Sequence, residues 1–165
     1  MANSALIDDL LKQFAENPRR VFARLANEYR KAGELDAAIQ ICRSFVPQQP
    51  TYISGYIVLG QALYESGKLD EARSTFETAL GLDPENLIAL RQLGDIAHAR
   101  GDLAGARSWY QRLLEVDPQN EEVAEQLRAM DASAAPSAAG GGAPGAAAPS
   151  PVSWSDINPE QAAPA

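Results

Sequence analysis

The sequence is short of the parts that catalysis and covalent bracing require. Its one cysteine, Cys42, can form no internal disulfide. Its one histidine, His98, leaves no second imidazole for a zinc set, and no Ser/His/Asp or Cys/His constellation can be assembled around it. Long apolar runs are missing too, since no stretch approaches the roughly 18 residues that a membrane span needs. The N-terminal MANSALIDDLLKQF has no basic flank and sets Asp8 and Asp9 inside its apolar stretch, which argues against a secretory signal. Positive charge is scarce: the formal net charge is −8. Residues 19–52 carry six Lys/Arg against three acids (+3), whereas 53–86 carry two against six (−4). A nucleic-acid surface needs a coherent basic stripe, and only one third of the repeat region is basic. These shortages predict a non-enzymatic, cytoplasmic protein with no cofactor, no metal, no nucleic acid and no membrane insertion.

What the chain has instead is a period. GKLDEAR at Gly67 has near-copies in GELDAAI at Gly33 and GDLAGAR at Gly101, and Pro50, Pro84 and Pro118 keep the same 34-residue step. Inside each unit two runs of helical periodicity flank a glycine. In the middle unit Tyr56, Leu59, Gly60 and Leu63 share one face, and after Gly67 so do Ala72, Phe76, Ala79 and Leu80. The glycines fall where a chain leaving one helix can use positive φ before the next begins. Ala38, Ala72 and Ala106 let paired helices approach closely. Asn17-Pro18, Asp83-Pro84 and Asp117-Pro118 each read as an N-cap followed by proline at the first helical position.

This pattern resembles the tetratricopeptide repeat, whose unit carries a bulky residue, Leu, Gly or Ala, and Tyr in its first helix, then Ala, an aromatic, Ala and Pro in its second. The first unit supplies Phe22, Leu25, Ala26, Tyr29, Ala38, Cys42, Phe45 and Pro50; the third supplies Leu90, Leu93, Gly94, Ala97, Ala106, Tyr110, Leu113 and Pro118. Cys42 stands in an aromatic slot, and Phe45 and Leu113 enlarge a position that is usually Ala. The resemblance implies an all-α solenoid of three hairpins over about 19–52, 53–86 and 87–120. Amphipathic residues 1–17 and 119–130 are expected to cap the array over 18–131, giving eight helices, because end repeats otherwise expose apolar faces. Alanine- and arginine-rich usage suggests a bacterial chain.

Beyond Met130 the composition turns to Ala, Gly, Pro and Ser, which predicts a disordered linker and tail over 132–165. Gly140–Gly142 follow no strand and precede no Lys-Ser/Thr, so they belong to that linker and not to a phosphate loop. Trp154, Asp156 and Ile157 form a possible short docking motif. Cys42 reads as a core residue, and Asp70, Glu71, Glu121 and Glu122 as solvated helix faces.

In the resembled family the first helix of each repeat lines a concave groove. Its inward positions correspond here to Arg20, Ala23, Asn27, Arg30 and Lys31; to Ser54, Ile57, Gln61, Tyr64 and Glu65; and to Ile88, Arg91, Asp95, His98 and Ala99. The resemblance therefore implies an adaptor that holds a peptide or helix of another protein, apolar with an acidic end near Arg20, Arg30 and Lys31. Family members that clamp a terminal carboxylate place Lys and Asn, then Asn, then Lys and Arg where this chain has Ala23, Asn27, Val58, Ile88 and Gln92; only Asn27 matches, so that clamp is not expected. Two alternatives remain: self-association through Leu6, Leu10 and Val123 as an assembly domain, or a groove regulated by the chain's own Trp154 segment.

Overall fold

The computed structural model describes residues 2–134, all of whose regular structure is helical. The linker from 135 onward, with Trp154, Asp156 and Ile157, lies outside the described residues. Eight α-helices follow one another: α1 (Ala2–Glu16), α2 (Pro18–Lys31), α3 (Leu35–Phe45), α4 (Ile53–Glu65), α5 (Leu69–Leu82), α6 (Leu87–Ala99), α7 (Leu103–Val116) and α8 (Glu121–Ala134), with a short 3₁₀ turn at Val46–Gln48.

Each hairpin turns in the same way. Gly33, Gly67 and Gly101 adopt φ of 85°, 79° and 78°, a region that a Cβ disfavours. After each, an amide reaches back over the turn: Glu34 N–H to Tyr29, Lys68 N–H to Leu63 and Asp102 N–H to Ala97, each at 2.9 Å. These bonds satisfy carbonyls that the helix end would otherwise leave open.

The helix starts differ from expectation. Asp83 and Asp117 do not cap helices; they close a turn, accepting from Glu85 N and Asn86 Nδ2, and from Gln119 N and Asn120 Nδ2. The caps come three residues later. Asn86 Oδ1 accepts from Ala89 N at 3.1 Å to open α6, and Asn120 Oδ1 accepts from Val123 N at 3.2 Å to open α8. Only Pro18 begins a helix at its first position, behind an Asn17 whose side chain makes no cap bond. Both Asp and Asn can cap, and here proline's fixed φ serves a turn preceding the helix. At the other end α8 runs past Met130 into the expected linker, as far as Ala134. Alanine favours the extension, and Asp131 pairs with Arg107 of α7 at 2.5 Å.

The core follows the period. Phe76 packs over Gly60 and Tyr110 over Gly94, so closely that a Cβ at either glycine would meet the ring. One period earlier the pair is Ala26 and Cys42, both fully buried. A smaller residue on α3 thus accompanies a larger one on α2. Phe45, in a slot that is usually Ala, stacks on Phe22 at 5.4 Å and meets Phe14 of α1 edge-on at 5.3 Å. Leu10 seals against Val21 and Leu25, and Val123 of α8 is fully buried. Leu10 and Val123 therefore belong to the core and are not available for self-association; of that trio only Leu6 is exposed.

Candidate functional site

First helices pack on first helices, α2 against α4 and α4 against α6, whereas the second helices α3, α5 and α7 make no comparable contact with one another. An array whose first helices are drawn together and whose second helices splay must curve with α2, α4 and α6 on the inner side. The repeat sets this layer, because each hairpin presents its first helix in the same register.

On that inner face α2 and α4 enclose a depression of about 260 Å³ lined by Ala23, Arg24, Asn27, Tyr52, Ser54, Val58 and Gln61. Two further depressions adjoin it. Arg20 and Arg24 line one against α1, together with Glu16; Arg19 and Arg20 line the other, which shares Tyr52 with the first. Arg20, Arg24 and Tyr52 are where the three meet.

The candidate residues divide by what they touch. Arg30 is engaged: its Nε and Nη2 donate to Asn27 Oδ1 at 3.2 and 3.0 Å, and its Nη1 donates to Glu65 of α4. Lys31 pairs with Glu28 at 2.9 Å. Neither is the open cation the sequence suggests, because an acid one turn away or on the neighbouring helix neutralises it. Arg19, Arg20 and Arg24 make no ion pair with any described residue. Ile57 is buried among core residues and lines none of the three depressions, while Gln61 and Tyr64 are half-buried. Ile88 is 46% exposed, and His98 is exposed.

At the far end Arg91 Nη1 donates to Glu122 Oε2 at 2.7 Å while Nη2 binds the other oxygen, and Arg91 Nε lies 3.8 Å from Asp95. The bidentate bond raises the Arg91 pKa and lowers that of Glu122. Asp95 also accepts from the Tyr110 hydroxyl at 2.7 Å, and burial, with that bond, pushes the phenol pKa up. The family's five inward positions miss two contributors. Arg24 stands one period before Val58, and Glu122 one period after Ile88.

A narrower cleft of about 180 Å³ lies between α5, α6 and α7, with Leu93, Ile96 and Ala97 as floor and Arg73, Arg100 and Trp109 around it. Its cations are compensated, Arg73 by Glu77 and Arg100 by Asp70. Among the described residues no group of three or more His, Cys, Asp or Glu is placed to hold a metal ion, and no helix is long and apolar enough to cross a membrane.

The molecule is thus an α-solenoid of three helical hairpins between two end helices. Residues 57–121 match the family model described as tetratricopeptide repeat, and the three hairpins have a tetratricopeptide-like fold. Among solved structures, the first TPR of Spaghetti (RPAP3), bound to the HSP90 peptide SRMEEVD, is 25% identical with a TM-score of 0.67, over 72% of this chain and 94% of that one. MamA shares the fold at 19% identity and a TM-score of 0.74, over 80% of this chain and 78% of its own. The type III secretion translocator chaperone SycD of Yersinia enterocolitica does so at 16% identity and 0.68, over 72% and 95%. No curated protein matches the chain.

Proposed function

We propose that the chain is a non-enzymatic adaptor that holds a segment of a partner protein on the face of α2, α4 and α6, with an acidic end of that segment on Arg20 and Arg24. The observation that carries this reading is a coincidence on one helix. In a chain of net charge −8, α2 carries three arginines without ion partners among the described residues: Arg24 lines the depression that holds Val58 and Tyr52, and Arg19 and Arg20 line the ones beside it. An apolar floor beside open guanidinia suits an apolar segment flanked by carboxylates.

The RPAP3 domain is bound to a peptide ending in Glu-Glu-Val-Asp. Here the positions of the terminal-carboxylate clamp hold Ala23, Val58, Ile88 and Gln92, which supply no cation. The acids recognised are therefore side chains within a segment rather than a free C-terminus.

Fluorescence anisotropy of the full chain with a labelled peptide of Glu, Leu and Ile tests the reading. Binding that survives C-terminal amidation of the peptide and weakens about tenfold in Arg20→Glu/Arg24→Glu supports it. Equal binding to wild type and variant would exclude it.

A further inference from the structure

The inner face has two ends of opposite sign. At the α2 end Arg19, Arg20 and Arg24 face only one lining carboxylate, that of Glu16. At the other end α8 begins 34 residues after α6, so Glu122 stands in the register of Ile88, and its carboxylate reaches Arg91 of α6 in an ion pair. The single charge of Arg91 is shared between Glu122 and Asp95. Glu125, one turn further along α8, is exposed and makes no ion pair with any described residue. Carboxylates thus exceed cations at this end. Between the ends Arg30 and Glu65 cancel, and the apolar groups there are the exposed Ile88 and the largely buried Val58, which lines the depression between α2 and α4.

We propose that this face fixes the direction of its partner: the acidic end of the bound segment lies over Arg20 and Arg24, its apolar centre over Val58 and Ile88, and a basic end over Glu122 and Glu125. This rests on the groove reading above and adds the second end. Charges of both signs favour one alignment and penalise its reverse, in which like charges meet at both ends. Neighbouring first helices lie about 10 Å apart, so three steps from α2 to α8 span about 30 Å. An extended segment at about 3.3 Å per residue covers that distance with about nine residues.

The probe is a synthetic, fluorescein-labelled peptide of about twelve residues: glutamates at its N-terminal end, leucine and isoleucine in the middle, lysines at its C-terminal end. A companion peptide replaces the lysines by serine, and a third carries no charge. With the full chain at about 50 mM salt, the two-signed peptide is expected to bind at least about threefold more tightly than the companion. Glu125→Lys, a change at an exposed side chain, is expected to remove that advantage, and Glu122→Gln to reduce it, the advantage being read as the ratio of the two peptides' affinities within each variant. In the fourfold swap Arg20→Glu/Arg24→Glu/Glu122→Lys/Glu125→Lys the peptide is expected to bind reversed. A nitroxide on its glutamate end then broadens amides of α8, whereas in wild type it broadens those of α2. An unchanged advantage in Glu125→Lys, or a nitroxide that stays at α2 in the swapped chain, would overturn the proposal while leaving the groove reading intact. Absence of binding by all three peptides would remove the groove reading, and the direction with it.

Discussion

Arg30 of α2 donates to the carboxylate of Glu65, 35 residues away on α4, and its guanidinium also holds Asn27 Oδ1. One inward-facing arginine is thereby withheld from ligands by the array itself. Replacing Glu65 by Gln keeps the shape and releases the charge. Affinity for the glutamate-containing peptide is expected to rise about threefold at low salt and to converge with wild type as salt is raised. Stability is expected to change by less than about 1 kcal/mol, because the pair is partly solvated. Parallel anisotropy titrations and urea denaturation check both.

Two glycines with identical chemistry are expected to respond with opposite sign. At Gly94 a Cβ would collide with the Tyr110 ring, whereas at Gly81, an exposed helical position, nothing lies within 4 Å. Gly94→Ala is expected to cost about 1–3 kcal/mol from overpacking, exceeding the gain in helix propensity. Gly81→Ala is expected to stabilise by up to about 1 kcal/mol. Urea midpoints at equal m-value measure both.

The first hairpin uses a different solution from the other two, and the difference is testable as a coupling. Cys42 occupies the slot of Phe76 and Tyr110, and Ala26 that of Gly60 and Gly94. Cys42→Phe alone is expected to cost about 1–3 kcal/mol. Combined with Ala26→Gly, the double variant should be more stable than the sum of the single changes by at least about 0.5 kcal/mol. Strict additivity in the cycle would show that the two sites do not share space.

Burial pushes the Cys42 thiol from 9.0 up to about 12. A raised folded-state pKa means that the unfolded chain releases this proton first as pH rises. The contribution is intact below about pH 9 and is lost progressively towards pH 12. Stability is expected to fall across that window with a slope from this group of up to about 1.4 kcal/mol per pH unit. Cys42→Ala should show a shallower alkaline slope, and the wild-type thiol should react with a disulfide reagent at pH 8 only on unfolding. The residual slope in the variant includes Tyr110, whose phenol is also raised.

The hairpins were legible in the sequence because glycine at 33, 67 and 101 answers a local demand, positive φ at a helix end, that few other residues meet. The burial of Phe76, Tyr110 and Cys42 was legible from the same period. Helix starts were less so, since Asp83 and Asn86 are both capable caps three residues apart and only the turn geometry selects between them. The charge state of the inner face was hidden for another reason. Arg30 and Glu65 meet through the stacking of two repeats, a separation that helical spacing does not encode. Arg24 had a visible signal, because one and two periods later its register holds Val58 and Gln92, positions that serve the carboxylate clamp in the resembled family. Glu122 had one as well: α8 repeats the spacing of α6, which puts Glu122 in the register of Ile88, and its carboxylate pairs with Arg91 of α6.

The most direct test of peptide capture on the inner face is an amide NMR titration of the full chain with the unlabelled glutamate-leucine-isoleucine peptide. The account predicts saturable shifts concentrated on Arg20, Arg24, Asn27, Val58 and Gln61, with α3, α5 and α7 little changed. Shifts concentrated on α3, α5 and α7, or none at saturating peptide, would contradict it.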